Sequence, residues 1–218
     1  MPALSLDGHI AGSFTGAASG SVSLTTANSN DVIVVMVGIN GFVSPGNSVS
    51  SVSAPGLTFT RRTNFTNPDG NIILEIWWAP AASPFNGSIT VNLASSSNFT
   101  VMAIGVANSP NYTSPWDASS PATGSGAAGT SPSIAYTPTN SNDFIIGFGG
   151  TSGSGLDTLS AGPGFTLIDT LSDPLAFPQT LVTIDEYQVV SGTPSSVTVS
   201  FSSALGHEWA LIGDALRG

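Results

Sequence analysis

Residues 28–33 read Asn-Ser-Asn-Asp-Val-Ile, and residues 140–145 read Asn-Ser-Asn-Asp-Phe-Ile. A second matched pair follows in the same order, with Pro-Gly-Leu-Thr-Phe at 55–59 and Pro-Gly-Phe-Thr-Leu at 163–167. The partners lie 112 positions apart in the first pair and 108 in the second. Chance matches would keep neither the order nor the spacing, so the pattern indicates a duplicated unit of about a hundred residues.

Alternation of apolar and polar residues predicts strands in both copies of this unit. Residues 89–93 read Ile-Thr-Val-Asn-Leu and residues 197–201 read Val-Thr-Val-Ser-Phe. A period of two is typical of a strand that buries one face and exposes the other. The same alternation predicts that Phe165 and Leu167 point inward. The apolar run at 32–37 predicts a central strand of a sandwich, covered on one face by the other sheet and partly on the second by loops.

No stretch has a sustained helical period with caps at both ends, and glycine and proline are too frequent for long helices. We therefore predict an all-β fold, an antiparallel β-sandwich built from two duplicated jelly-roll or immunoglobulin-like units of about six strands each. Residues 1–106 form the first repeat with a glycine-rich N-terminal lead-in, and residues 131–218 form the second. Residues 107–130 are predicted to be a Ser/Pro/Gly-rich linker or long surface loop, with Trp116 docked on a sheet. Whether the repeats form two sandwiches or one stays open at this point.

The charge balance excludes several classes of partner. Three arginines, no lysine and 13 acidic residues give a formal net charge of −10. Such a surface repels nucleic acid and anionic membranes. The longest apolar run is too short to cross a bilayer, so we expect no membrane insertion. The absence of cysteine excludes disulfides and thiol chemistry. The first residues lack the pattern of a signal peptide, and we expect a location in a virion, outside the cell or at its surface.

Aromatic residues next to acids suggest one candidate binding site. Glu75 stands close to Trp77 and Trp78, and the matching part of the second unit reads Asp-Glu-Tyr and ends at Tyr187. Trp77, Trp78, Trp116 and Tyr187 are candidate stacking platforms for a sugar ring, with an acid bonding the hydroxyls. The favoured interpretation is structural: one of the two adjacent tryptophans lies in the core, and the acid is a solvated outer residue.

No pattern predicts a catalytic site. A triad or a metal centre needs three convergent groups. His207 and Glu208, followed by Asp214, are the one place where a histidine lies near several acids, and we interpret them as surface residues. We expect no enzyme activity, no catalytic residue, no cofactor and no metal centre. Calcium bound by Asp31 and Asp143 is the open alternative. The favoured interpretation is that each aspartate bonds backbone amides in the turn before a strand.

Four segments carry a resemblance to known proteins: 30–35 (Asn-Asp-Val-Ile-Val-Val), 56–60 (Gly-Leu-Thr-Phe-Thr), 72–79 and 87–91 (Gly-Ser-Ile-Thr-Val). They resemble uncharacterised β-sandwich proteins of phage and prophage genomes and of bacterial surfaces. The resemblance covers most of the chain as a pattern of strand and turn residues. It implies a structural or attachment role and transfers no catalytic residue.

These observations together predict a non-enzymatic structural protein of a virion or extracellular assembly, such as a capsid decoration, fibre, tail or filament subunit. It is expected to act by self-association, through exposed strand edges and the glycine-rich N-terminal segment. Its partners would be copies of itself and other particle or surface proteins. The alternative is a carbohydrate-binding module or adhesin that binds glycans through the aromatic platforms.

Overall fold

The computed structural model describes residues 3–173 and 179–218. These residues contain strands and no helix, as the sequence predicts. The strands are β1 (Ser5–Thr25), β2 (Asp31–Asn40), β3 (Val49–Ala54), β4 (Leu57–Thr58), β5 (Thr60–Thr66), β6 (Ile72–Ala81), β7 (Asn86–Ala107), β8 (Ala122–Gly126), β9 (Ser133–Tyr136), β10 (Phe144–Gly153), β11 (Leu159–Ala161), β12 (Thr166–Ser172), β13 (Thr180–Val189), β14 (Val197–Ser203) and β15 (Glu208–Leu216).

The strands up to β7 form one antiparallel sheet in the order β4-β3-β7-β2-β6-β5, and β1 pairs with β7. Strand β7 is long enough to serve two parts of this sheet. Its first part lies between β1 and β3, and its second part lies between β1 and β2. The predicted alternation at 89–93 is confirmed, because Ile89, Val91 and Leu93 are buried while the residues between them remain partly accessible.

The strands from β8 onward form two antiparallel sheets in the orders β12-β13-β10-β15-β8 and β11-β14-β9. Strand β10 lies between β13 and β15, as β2 lies between β6 and the second part of β7. Strand β14 lies between β11 and β9, as the first part of β7 lies between β3 and β1. Val32 and Phe144 therefore both occupy the start of a central strand.

Three apolar clusters hold these sheets together. Alternate residues of β2 point to opposite faces, so Val32, Val34 and Met36 belong to one cluster and Ile33 and Val35 to another. We call the first the interface core: it joins residues 4–106 of the first half to residues 144–216 of the second. The other two are the first-half core, under β3 and the first part of β7, and the second-half core, under β11 and β14. Central strands β2 and β10 are thus covered on both faces, which explains their continuous apolar sequences.

The prediction for Leu167 is wrong. This side chain is 44% exposed, although Phe165 is partly buried against the second-half core. A β-bulge between Leu167 and Asp169 interrupts the register of β12 with β13. Leu167 precedes this bulge and lies on β12, the edge strand of its sheet, where little covers its side chain, whereas Ile168 packs against the interface core. Strand β5 has the matching bulge between Arg61 and Thr63.

Two segments predicted to be irregular carry strands. Residues 107–130 contain β8, which pairs with β15. Trp116 of the same segment bridges to Leu216, which agrees with the expected docking of this residue. The glycine-rich lead-in at 12–20 lies within β1 and pairs with β7 through two irregularities of register. Backbone pairing with a neighbouring strand orders both segments although their side chains offer little apolar surface.

Candidate functional site

Most of the acidic side chains lie inside the protein. Nine of the 13 acids are buried: Asp31, Glu75, Asp117, Asp143, Asp157, Asp173, Asp185, Glu186 and Asp214. Carboxylates are rarely buried unless hydrogen bonds or counter-charges compensate the loss of water. The contacts of these acids therefore show what each one does in the fold.

The structural interpretation of residues 75–78 is wrong about which side chain lies in the interior. The acid is buried, whereas Trp77 and Trp78 are both half-buried, so neither tryptophan is the core member of the set. Glu75 accepts hydrogen bonds from the Val49 amide (2.8 Å) and from Trp77 Nε1 (3.0 Å). The Arg61 guanidinium is 3.8 Å from the same carboxylate and is half exposed, so it adds little. Glu75 therefore ties β3 to β6 in the interior.

Trp78 and Trp116 come together at the junction of the two halves. Their rings meet edge to face at 6.1 Å between centroids, and the Arg62 guanidinium lies 4.8 Å from the centre of the Trp116 ring. Both tryptophans pack against the interface core. Trp77 packs against the first-half core on the opposite face of the sheet, so it does not share a surface with Trp78.

Tyr187 is the fourth predicted platform, and it lies on β13. Its ring stacks on Phe144 with centroids 4.9 Å apart and planes 5° from parallel. Like Trp78, it packs against the interface core. The register puts it at the position in the second half that Trp78 has in the first, because Trp78 pairs with Val34 and Tyr187 pairs with Ile146. One ring face of Tyr187 is thus used inside the protein.

Arg62 of β5 forms a buried ion pair with Asp214 of β15. The guanidinium donates from Nε to Oδ2 at 3.0 Å and from Nη2 to Oδ1 at 3.2 Å. The Ser120 hydroxyl donates to the same carboxylate at 2.6 Å. Burial raises the pKa of Asp214, and Arg62 and Ser120 lower it again in part. The interpretation of Asp214 as a surface residue is therefore wrong, since it is fully buried at the contact between the halves.

Two further acids lie in the interior of the second half. Asp185 accepts a hydrogen bond from the Asp169 amide at 2.8 Å, and Glu186 accepts one from the Gly162 amide at 2.8 Å. Burial, joined by the charge of Asp169, raises the pKa of Asp185 well above its usual value. Burial also raises the pKa of Glu186 to about 7. Both acids are isolated from arginine among the residues that the structure describes.

The turn before β2 places two acids next to each other. Asp7 of β1 accepts hydrogen bonds from the amides of Ala27 and Asn28 at 2.9 and 2.7 Å. Asp31 lies beyond that turn, fully buried, and its pKa is raised to about 7 by burial and by the adjacent Asp7 carboxylate. Neither carboxylate oxygen of Asp31 has a hydrogen-bond partner in the described part of the chain.

The turn before β10 repeats this arrangement. Asp117 accepts hydrogen bonds from Ser119, Thr139 and the Asn140 side chain. Burial alone would raise the pKa of Asp117, but the hydrogen bonds from Ser119 and Thr139 outweigh it and lower the pKa to about 2. Asp143 is fully buried, and burial together with the charge of Asp117 raises its pKa to about 7.

The favoured interpretation of Asp31 and Asp143 as turn residues that bond backbone amides is wrong in its main point. The amides of the turn before β2 donate to Asp7, and those of the turn before β10 donate to Asp117. Asp143 accepts a single long hydrogen bond from the Gly218 amide at 3.3 Å. The sequence carries a signal for this, because Asp7 and Asp117 are 110 positions apart, which is within the spacing of the repeat.

Neither acid pair matches a calcium site well. Calcium takes six to eight oxygen ligands, whereas the groups around Asp7 and Asp117 are N–H and O–H donors that direct hydrogens at the carboxylates. Within 3–173 and 179–218 no group of three or more His, Cys, Asp or Glu side chains could hold a metal ion.

The two histidines lie next to different acids. His9 Nδ1 is 2.9 Å from Asp169 Oδ2 in a partly exposed contact between β1 and β12. His207 Nδ1 is 4.0 Å from Asp157 Oδ2. Asp157 already accepts hydrogen bonds from the Ser203 hydroxyl and from the amides of Thr158 and Leu205. The Asp157 carboxylate thus stabilises the loop between β14 and β15.

Besides a small pocket of about 30 Å³ at 190–195, the described residues of the second half line two larger open cavities. One of about 360 Å³ runs over β14 and is lined mainly by serine, threonine and glycine, with Phe201 at its base. The other, of about 230 Å³, lies beside Asp157 and Leu171. The predicted aromatic platforms line neither of them.

Comparison with protein-family models, with curated proteins and with solved structures found no match to this chain. The described residues contain no helix long and apolar enough to cross a membrane.

Proposed function

We propose that this chain is a non-enzymatic structural protein of a virion or extracellular assembly, built from two duplicated jelly-roll or immunoglobulin-like units, that acts by self-association. The equivalent strand pairings of the two halves support the duplication. The resemblance to phage, prophage and bacterial surface β-sandwich proteins supports the setting.

The edge formed by β1 is the observation that carries the proposal. This strand is 21 residues long, and β7 is its one partner strand among the described residues. An unpaired strand edge is a template for another chain, and proteins that remain monomeric usually protect it with lysine or proline. Strand β1 contains no lysine, arginine or proline. Its register irregularities all precede Ser19, so residues 19–25 pair regularly with β7 and form the unprotected part of the edge.

The buried acids stabilise the fold through hydrogen bonds and an ion pair, which agrees with a structural protein. Asp214 joins the halves, Glu75 joins two strands, and Asp157 holds a loop. Four acids remain at least partly exposed, and serine, threonine, asparagine and glycine supply most of the polar surface. Identical subunits with so few exposed charges pack together at a smaller electrostatic cost than densely acidic ones.

Sedimentation velocity and electron microscopy of the purified chain test the proposal. We expect oligomers or filaments at high concentration. Lysine at two exposed positions of β1, Ser19→Lys with Ser23→Lys, should shift the population to monomers because a charged edge disfavours strand addition. A wild-type chain that stays strictly monomeric at high concentration would contradict the proposal.

The matched control adds the same charge to a strand that has partners on both sides. Thr198 and Ser202 are exposed side chains of β14, which lies between β11 and β9. The variant Thr198→Lys with Ser202→Lys should assemble like wild type. Loss of assembly in both double variants would attribute the effect to net charge and remove the support for the β1 edge.

A carbohydrate-binding module or adhesin is the second candidate. The observation that favours it is the pair of Trp78 and Trp116, which is only partly buried, since aromatic rings stack on sugar rings. Tryptophan fluorescence titrated with polysaccharides tests it. Binding that is weakened by Trp78→Phe and not by Trp77→Phe would support this function, and the absence of quenching by any sugar would exclude it.

A further inference from the structure

Each half contains two aspartates in the same relation to its central strand. In the first half they are Asp7 and Asp31, and in the second they are Asp117 and Asp143. The register confirms that the positions match, because Leu6 pairs with Val106 just as Trp116 bridges to Leu216. The strands that follow begin at Asp31 and Phe144 and occupy the same place in their sheets.

The outer member of each pair is held as an anion by the turn beside it. Amides of Ala27 and Asn28 donate to Asp7 Oδ2, and Thr139 and Asn140 donate to Asp117 Oδ2. The donors are 112 positions apart, like the Asn-Ser-Asn-Asp segments that contain or follow them. Hydrogen bonds donated to a carboxylate favour its charged form.

The inner member has much weaker support: Asp143 accepts one long hydrogen bond from the Gly218 amide, and Asp31 has the Thr26 hydroxyl beside it. Asp31 and Asp143 are both fully buried. Both oxygens of Asp31 and Oδ2 of Asp143 have no partner among the described residues. A buried carboxylate without donors or a counter-ion is strongly disfavoured. The neighbouring acid of each pair is within hydrogen-bonding reach, but an ionised carboxylate can only accept. Each pair of carboxyl groups therefore needs one proton before one group can donate a hydrogen bond to the other.

We infer that Asp7 with Asp31, and Asp117 with Asp143, form two equivalent proton-binding sites, in which the inner acid is protonated and donates its hydrogen to the outer carboxylate. The proton satisfies the unpartnered oxygen and removes the repulsion between two adjacent charges. It also ties the start of β2 to Asp7 of β1 in the first half, and the start of β10 to the segment before β8 in the second.

The groups around each site add no positive charge. Asp31 faces Asp7 and the Thr26 hydroxyl. Asp143 faces Asp117, the Asn140 amide and the Gly218 amide. Tyr136 is near Asp143, Asp117 and Asp214, and its pKa is raised by burial and by those three charges, so it remains neutral. Asp31 and Asp143 form no salt bridge with arginine or histidine within the described ranges.

The sign of the pH effect follows from the raised pKa. In the unfolded chain both inner acids lose their protons near pH 4, whereas in the fold they keep them up to about pH 7. The folded state therefore binds more protons between these values, and the stability from the two sites falls as the pH rises from about 4 to about 7. This direction is the opposite of that for an aspartate held in a salt bridge.

Carboxyl ¹³C NMR of the intact chain, with aspartate labelled, tests the inference directly. Asp31→Asn and Asp143→Asn variants assign the two resonances. We expect both inner carboxyls to titrate near pH 7 rather than near pH 4, while Asp7 and Asp117 remain ionised through that range. Titration of the inner acids near pH 4 would overturn the inference.

Thermal unfolding between pH 5 and 8 supplies a second readout. An asparagine side chain donates a hydrogen as the protonated acid does, so Asp31→Asn with Asp143→Asn should retain the fold and flatten part of the decline in Tm with pH. The control Asp69→Asn removes one charge from an exposed turn and should keep the wild-type slope. If the double variant fails to fold, the wild-type resonances still decide the question. A rise in Tm on addition of Ca²⁺ that the double variant loses would overturn it in favour of a cation site.

Discussion

Two sets of residues at equivalent strand positions take part in the contact between the two halves. One set is a buried ion pair, and the other is apolar. Asp214 pairs with Ile146 in the second half, and Ile104 pairs with Val34 in the first. Arg62 is the bulged residue of β5, as Ile168 is of β12. The positions of Arg62 and Asp214 thus correspond to those of Ile168 and Ile104, which both pack in the interface core.

This difference teaches that two halves with equivalent strand positions do not need a symmetric set of contacts. Ile168 and Ile104 show that apolar side chains can fill these positions. The ion pair of Arg62 and Asp214 is therefore not needed for packing alone. Buried ion pairs are weak sources of stability, but an unpaired buried charge is costly. Our hypothesis is that Arg62 and Asp214 select one relative placement of the halves and penalise others.

Removing one charge should give the largest effect. Asp214→Ile leaves the buried Arg62 without its charge partner and removes the closer acceptor of the Ser120 hydroxyl, so we expect a loss of about 3–5 kcal/mol in the free energy of unfolding. The measurement is urea denaturation followed by circular dichroism. The control Ile104→Val on the other side should cost about 0.5–1.5 kcal/mol. Equal losses for the two variants would contradict the unequal character of the two sides.

Making the two sides alike should restore most of that loss. Arg62→Ile with Asp214→Ile replaces the ion pair by the apolar pair found on the opposite side, and we expect stability within about 1 kcal/mol of wild type. The double-mutant cycle reports the coupling between the two residues. A double variant that loses the sum of the two single losses would mean that the residues act independently.

The connection between the two parts of β7 in the first half, and between β14 and β15 in the second, offers a second comparison. Strand β7 runs without a break from one sheet part to the next, whereas a loop at 204–207 separates β14 from β15. Asp157 holds that loop through Ser203 and the Leu205 amide. Asp157→Ala should therefore cost about 1–3 kcal/mol, because three donors lose their acceptor.

The pH dependence of that loss has a defined sign. Burial raises the pKa of Asp157, but hydrogen bonds from Ser203 and Leu205 outweigh it, so the net pKa is lowered. The stability that this group contributes is complete above the pKa of the unfolded chain, about 4, and is lost as the pH falls through the folded value. The difference between wild type and Asp157→Ala should shrink below pH 4 in denaturation experiments.

The continuous junction should be the least sensitive. Asn98 accepts a hydrogen bond from the Gly16 amide at 2.8 Å, where β1 and β7 bend together. Asn98→Ala should cost about 0.5–1.5 kcal/mol, since the backbone ladder on both sides of the bend remains. A larger loss than that of Asp157→Ala, measured by the same denaturation, would show that the bend depends on this single contact.

The sequence by itself determined the all-β class, the main strands and the matching of β2 with β10. These follow from period-two alternation and from apolar runs, which are local properties that any sheet arrangement would use. The spacing of the repeat also contains the positions of Asp7 and Asp117, although neither has a local pattern that identifies its role.

The tertiary structure alone decided which acids are buried, that the two halves share a core, and which aromatic residues meet. Glu75 and Asp214 look like surface acids in the sequence, because the Val49 amide and the Arg62 guanidinium that bond them lie on strands that are distant along the chain. Leu167 is exposed and Ile168 packs against the interface core, because β12 is an edge strand and only its neighbours in the fold decide which of its faces is covered. Burial depends on what packs against a strand, and that information is not contained in the strand's own pattern.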